Sequence, residues 1–252
     1  MFMDQLKFKG MKSTNSLFIM ILSTLLFVCV IHSSAQSTKI AIVSMEDTLL
    51  VNQHVGFTIF ANFTDTLHLD LPVAMHVEQQ LQKYLAPTYD ISFIKLPDSI
   101  IGNKKEMYGL WGMNKKIKKW ISDSKDKYDY VIFTYNTSIP REMNVIAPAK
   151  TSGLYSGPIY SSYFTTISFL AFKTENVSEL KYYELGGKFM TQNKEFKLPK
   201  DKKSFTPEML ELIKIGFMKH LDSRIEHFLT KTFLVPQNRI DEINAALSSS
   251  TK

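Results

Sequence analysis

Histidines, carboxylates, serines and lysines are the residues with which this chain could do chemistry, and their spacing encodes little of it locally. Beyond residue 35 the histidines are His54, His68, His76, His220 and His227. No His-Glu-x-x-His or His-x-His pair occurs among them, so no single helix or strand presents two adjacent zinc ligands. His220 and His227 fall on one side of a helix about two turns apart, with Arg224 standing where a third ligand would be needed. No metal site is expected. Acyl transfer lacks its Gly-x-Ser-x-Gly elbow, and neither glycine-rich phosphate loop is present, so no nucleotide or other cofactor is expected.

Paired carboxylates are the remaining catalytic option. Glu46 and Asp47 follow the first strand and Glu142 follows the central one, so the three could share a sheet edge, as the acid and base of glycoside hydrolysis must. Lysines cluster in Lys115-Lys-Ile-Lys-Lys119 and again between Lys194 and Lys203. The first cluster surrounds Ile117 and Ile121 as the solvated face of a helix would. Its functional alternative is an anionic envelope surface, not nucleic acid, from which export would remove the chain.

Export is the clearest signal. Lys7, Lys9 and Lys12 precede the apolar run Leu17–Ile31, and Ser33-Ser34-Ala35 follows it, the three regions of a secretory signal peptide in order. The run is shorter than the roughly 18 to 20 residues that a spanning helix needs. Residues 1–35 are therefore expected to be a leader cut after Ala35, which leaves the membrane as a transient contact and the periplasm or the exterior as the destination. Cys29, the single cysteine, lies inside this run; Val28 before it is not the small residue of a lipoprotein acceptor. Loss of the leader lowers the formal net charge from +6 to +4 and removes all thiol chemistry, disulfides included.

The elements that must position any site follow from periodicity. Lys39–Met45 is a β-branched apolar run of the kind buried on both faces. In Val55–Phe63 the alternation of Phe57, Ile59, Ala61 and Phe63 predicts a second strand, with 46–53 as linker. Leu71-Pro72 opens a helix striped by Val73, Val77, Leu81 and Leu85, closed at Ala86-Pro87. A strand over 89–96, a helix ending near Ser122 with Leu110, Met113, Ile117 and Trp120/Ile121 as its stripe, and a core strand over 128–135 come next. Ser152–Tyr160 is too rich in glycine, serine and tyrosine for a plain strand. Tyr163–Lys173 reads as one strand, and Gly186-Gly187 separates a further pair over 179–185 and 188–191. Thr206-Pro207-Glu208 launches a long helix whose Leu210, Ile213, Phe217, Leu221, Ile225 and Phe228 form one face. Pro236 ends it, leaving 236–252 as a short helical or disordered tail. The fold class is α/β: one domain over 38–235, a mixed sheet packed by about three main helices, parallel in its N-terminal half and antiparallel in its C-terminal half.

In open α/β sheets ligands sit beyond the carboxyl ends of parallel strands. Those ends are Ser44 and the cluster Asn136-Thr137-Ser138, with Arg141 close by and Tyr155 and Tyr160 as aromatic walls. Neutral hydroxyls, an amide and tyrosines suit a small polar ligand such as a sugar.

The order Lys39-Ile-Ala-Ile-Val-Ser, Val55-Gly-Phe-Thr-Ile-Phe-Ala-Asn, Tyr130-Val-Ile-Phe and Ser152-Gly-Leu-Tyr resembles an uncharacterised family of secreted bacterial proteins with a VGxTxFxN segment and a two-layered α/β core. The resemblance implies fold and destination and brings no activity with it. Function is therefore expected to be non-enzymatic binding of a small polar ligand or an envelope protein, with a periplasmic hydrolase using Glu46, Asp47 and Glu142 as the alternative.

Overall fold

Ile40, Ala41, Ile42 and Val43 offer water no polar side chain on either face, and the strand they form lies at the inside of a sheet with all four buried. The computed structural model describes residues 37–44, 48–101, 108–109, 112–113, 115–136, 151–177, 180–183, 190–201, 203–232 and 234–250. In chain order the strands are β1 (Lys39–Ser44), β2 (Leu49–His54), β3 (Phe63–Thr66), β4 (Asp90–Ile94), β5 (Tyr108–Gly109), β6 (Gly112–Met113), β7 (Tyr130–Asn136), β8 (Thr151–Ser156), β9 (Ser161–Phe164), β10 (Ile167–Lys173), β11 (Leu180–Tyr183) and β12 (Met190–Gln192). The helices are α1 (Val73–Leu85), the single turn α2 (Asp98–Ile101), α3 (Lys115–Asp123), α4 (Pro207–Lys231) and α5 (Gln237–Ser250).

Two five-stranded mixed sheets result, in the orders β11-β10-β7-β1-β4 and β12-β9-β8-β2-β3, beside a small β5–β6 ribbon. The orders match column by column. β9 leads directly into β10 through Thr165-Thr166, while β1 is followed by β2 and β7 by β8 across residues outside the described ones. The fold is thus mixed α/β with no closed barrel among the described residues, with parallel pairs β1/β4, β1/β7 and β2/β8 and antiparallel pairs at β2/β3 and among the later strands.

The first sheet is covered on both faces. Ile40, Ile42, Ile132, Phe169 and Ala171 meet Val77 and Leu81 of α1 and Leu221, Ile225 and Phe228 of α4. Val43, Val131, Phe133 and Phe172 meet Ile117 and Ile121 of α3 on the opposite side. With 25 residues, α4 is about 37 Å long, enough to reach both sheets. Its first half lays Ile213 and Phe217 in the same core as Leu50, Leu154 and Tyr163 of the second sheet. The predicted start of α4 holds: Thr206 accepts a hydrogen bond from the Met209 amide, Pro207 is the first helical residue and Glu208 sits in the first turn.

Several boundaries differ from the sequence expectation. The strand lies at Leu49–His54, mostly in the presumed linker 46–53, and 55–62 is the connection from β2 to β3, with one 3-10 turn at Ile59–Ala61. The Gly56 amide donates to Asn62 Oδ1 and closes that loop at 2.9 Å, so the alternation of apolar residues there has no ladder to serve. Thr151–Ser156 is a fully buried strand despite its composition. Gly153 makes this possible: its φ is +133°, and a Cβ would lie 2.4 Å from the Val51 carbonyl oxygen of neighbouring β2. The single strand expected over 163–173 is two, divided by Thr165-Thr166 between different sheets, because hydroxyls there replace ladder partners: Thr166 N donates to Ser152 Oγ and Ile167 N to Thr165 Oγ1, each at 3.1 Å. β11 and β12 likewise separate into different sheets; Gly186-Gly187 between them lie outside the described residues, as do Met45 and Leu110. The tail forms α5, with Ile240 fully buried in the main core and Asn244 donating to Glu226 of α4 and accepting from Tyr84 of α1. No helix among the described residues is long and apolar enough to cross a membrane. The described residues beyond Ser37 fall in one compact unit, Thr38–Lys252.

Candidate binding surface

Ser44 ends β1 beside Thr134 of β7, and Asn136 pairs with Ile167 two positions further on. The break between the sheets at Thr165-Thr166, where β9 passes into β10, directly precedes Ile167. The buried Ser44 hydroxyl has no partner among the described residues. Around the break, Ser152 Oγ lies 3.0 Å from Thr165 Oγ1 and accepts from Thr48 at 3.4 Å. These hydroxyls are spent on each other and on backbone amides. Thr137, Ser138 and Arg141 lie outside the described residues, and so do the carboxylates Glu46, Asp47 and Glu142.

Tyr155 and Tyr160 are elsewhere. Tyr155 is four residues along β8 from Thr151, roughly 13 Å at the rise of a strand, and Tyr160 lies in the turn from β8 to β9. Their ring centroids are 6.0 Å apart, and burial together with the neighbouring Tyr160 hydroxyl raises the pKa of Tyr155. The structure thus brings Tyr155 to Tyr160, and Ser44 to the end of β7, but holds the two groups at opposite ends of the second sheet.

The histidines also find partners. His54 Nδ1 lies 3.0 Å from Ser156 Oγ, which donates to Asn52 Oδ1 at 3.0 Å. Since the serine proton points at Asn52, the imidazole donates to the serine oxygen; a general base would have to accept that proton instead. His76 Nε2 and Asp222 Oδ1, 2.7 Å apart, tie α1 to α4. His220 on α4 meets Thr191 of β12 at 2.8 Å; burial, helped by the Arg224 charge, pushes its pKa down to about 3. Among the described residues no cluster of three histidine, cysteine or acidic side chains could hold a metal ion.

The free end of the second sheet carries what the sequence analysis missed. β2 and β8 finish together, with the Val55 amide bonded to the Ser156 carbonyl at 2.9 Å. Two neighbouring loops leave there, 55–62 and 157–160. On them Phe57 is 86% exposed, Phe60 93% and Ile159 87%, with Tyr160 half exposed at 49%. The signal was present: Gly56, Asn62 and Gly157-Pro158 are turn residues that bracket these side chains.

Beside these loops runs 193–206. The Asn193 amide and side chain bond Ser161 at 2.9 and 2.8 Å, at the foot of one loop. The Lys203 ammonium stands 4.8 Å from the centroid of Phe63, at the foot of the other. Lys194, Lys197, Lys200 and Lys203 are all exposed along it. Its two acids are engaged locally: Glu195 accepts from Tyr163 and from the Lys194 amide, and Asp201 from Ser204 and the Lys203 amide.

Compared with protein-family models, with curated proteins and with solved structures, the chain finds no match.

Proposed function

We propose that this chain is an exported, non-enzymatic α/β module of the bacterial cell envelope that binds a partner through the free end of its second sheet. The observation that carries the reading is the near-complete exposure of Phe57, Phe60 and Ile159 on two adjacent loops. Large apolar side chains grouped on a folded surface mark contact sites, because water gains by their removal. Tyr155 and Tyr160 flank the same loops. The polar groups beneath, Asn52, His54 and Ser156, bond one another, which supports a scaffolding role for them over a catalytic one. Export rests on the leader pattern of residues 1–35. Glu46, Asp47 and Glu142, on which the hydrolase alternative depends, lie outside the described residues.

Cell fractionation tests this reading. The full chain with a C-terminal tag is expected in the envelope fraction of a producing bacterium, shortened by its leader. The triple variant F57S/F60S/I159S is expected to be exported and folded but released into the soluble fraction. Retention of the variant equal to that of the parent, or a parent that stays in the cytosol, would overturn it.

A further inference from the structure

The arrangement of charge around the exposed apolar side chains narrows what the partner is. Phe57 and Phe60 stand on one loop and Ile159 on the next, so the exposed apolar side chains are carried by two neighbouring turns. Aromatic and aliphatic side chains carried on loop tips are suited to enter the headgroup–acyl boundary of a bilayer, whose soft packing needs no preformed pocket. The basic segment runs from the foot of one loop, at Ser161, to the foot of the other, at Phe63. Four exposed lysines with two internally bonded acids leave this border net positive. Apolar tips with a cationic border match the two layers of an anionic bilayer surface, acyl boundary and headgroups.

We propose that the free end of the second sheet docks on an anionic lipid surface, with Phe57, Phe60 and Ile159 entering the headgroup–acyl boundary and Lys194, Lys197, Lys200 and Lys203 meeting the phosphates. The inference rests on the binding-module reading above and names its partner. Contact of this kind is peripheral and reversible, and it adds to the transient contact made by the leader.

Co-sedimentation of the purified exported protein with lipid vesicles tests it, with parent and variants compared in the same processed form. The parent is expected to sediment with vesicles of phosphatidylethanolamine and phosphatidylglycerol, far less with pure phosphatidylcholine, and less as salt rises. F57S/F60S/I159S is expected to weaken binding to the anionic vesicles by about tenfold or more. K194E/K197E/K200E is expected to remove the preference for anionic lipid. These positions are exposed, so an unchanged thermal melt will show that each variant is folded.

Absence of parental binding to anionic vesicles, or equal binding by the triple serine variant, overturns the lipid assignment. A concentration-dependent dimer that the serine variant abolishes, without vesicle binding, gives the surface to a second copy instead. If vesicle binding fails while the same residues still govern envelope retention in cells, the module reading stands and the lipid assignment alone falls. If neither responds to the variants, both fall.

Discussion

The two sheets have five strands each and are both buried at their centres, but polar side chains take a larger part in the burial of the second. In the first sheet Ile40, Ile42, Val131, Ile132, Phe133, Phe169, Leu170 and Phe172 are fully buried apolar residues, with helices against both faces. In the second, Asn52, His54, Ser152, Ser156, Ser161 and Ser162 are also buried and must be bonded to neighbours there. Apolar burial stabilises without regard to direction, whereas hydrogen-bonded burial adds little net energy and fixes geometry. The first sheet therefore supplies the larger share of apolar burial, with Leu50, Leu154, Tyr163 and Phe164 of the second adding to it. The second is the part held in one arrangement, with its loops displayed at a free end.

The largest expected effect probes the apolar side of this contrast. Phe169 stacks on Phe228 of α4 with centroids 5.3 Å apart; Phe169→Ala is expected to destabilise by about 3–5 kcal/mol in urea unfolding. A cost near that of a surface substitution would erase the contrast. Next comes the contact of α4 with the second sheet, where a Cβ added at Gly216 would overlap the Tyr163 ring. Tyr163 is held by Asn193 and Glu195, so Gly216→Ala is expected to cost about 1–3 kcal/mol and to shift the thermal midpoint down.

Asn52→Ala probes the polar side. It leaves the Ser156 hydroxyl without its acceptor and is expected to cost about 1–3 kcal/mol, less than Phe169→Ala, in the same urea series. A larger loss than Phe169→Ala would transfer the main store of stability to the second sheet.

The last expected effect is a slope with pH. His220 is neutral in the folded protein, with a pKa of about 3, against about 6.5 unfolded. The unfolded chain then binds more protons between these values, so this contribution to stability is complete above about pH 6.5 and declines as pH falls toward 3. His220→Gln is expected to flatten that part of a plot of unfolding midpoint against pH. A profile identical to the parent would mean that the ring is protonated in place.

Much of the fold was legible in the sequence because it rests on local periodicity. The stripe Val73, Val77, Leu81, Leu85 and the Thr206-Pro207-Glu208 start became α1 and α4 because a helix face and a cap need only neighbours in the chain. β1 and β7 were legible because runs buried on both faces are apolar throughout. Strands of the second sheet were not. Leu49–His54 contains Asn52, Gln53 and His54, whose burial becomes tolerable only with cross-strand partners such as Ser156, 102 residues beyond His54. The candidate site divided in the same way. Tyr155 and Tyr160 were expected as aromatic walls of one site with Ser44, but β8 runs away from the end of β1 and carries them to the other end of the second sheet.

By itself the sequence determined the α/β class, the apolar strands and the helices of the first core, since each follows from spacing that a few consecutive residues satisfy. It also carries the leader pattern on which the proposal of export depends. Only the tertiary structure decided that Val55–Asn62 is a loop. Phe57 and Phe60 alternate like core residues, and nothing in their spacing tells burial from exposure. The register of β2 on β8 and β3 makes that difference: the ladder uses 49–54 and 63–66 and leaves the residues between them outside, facing water.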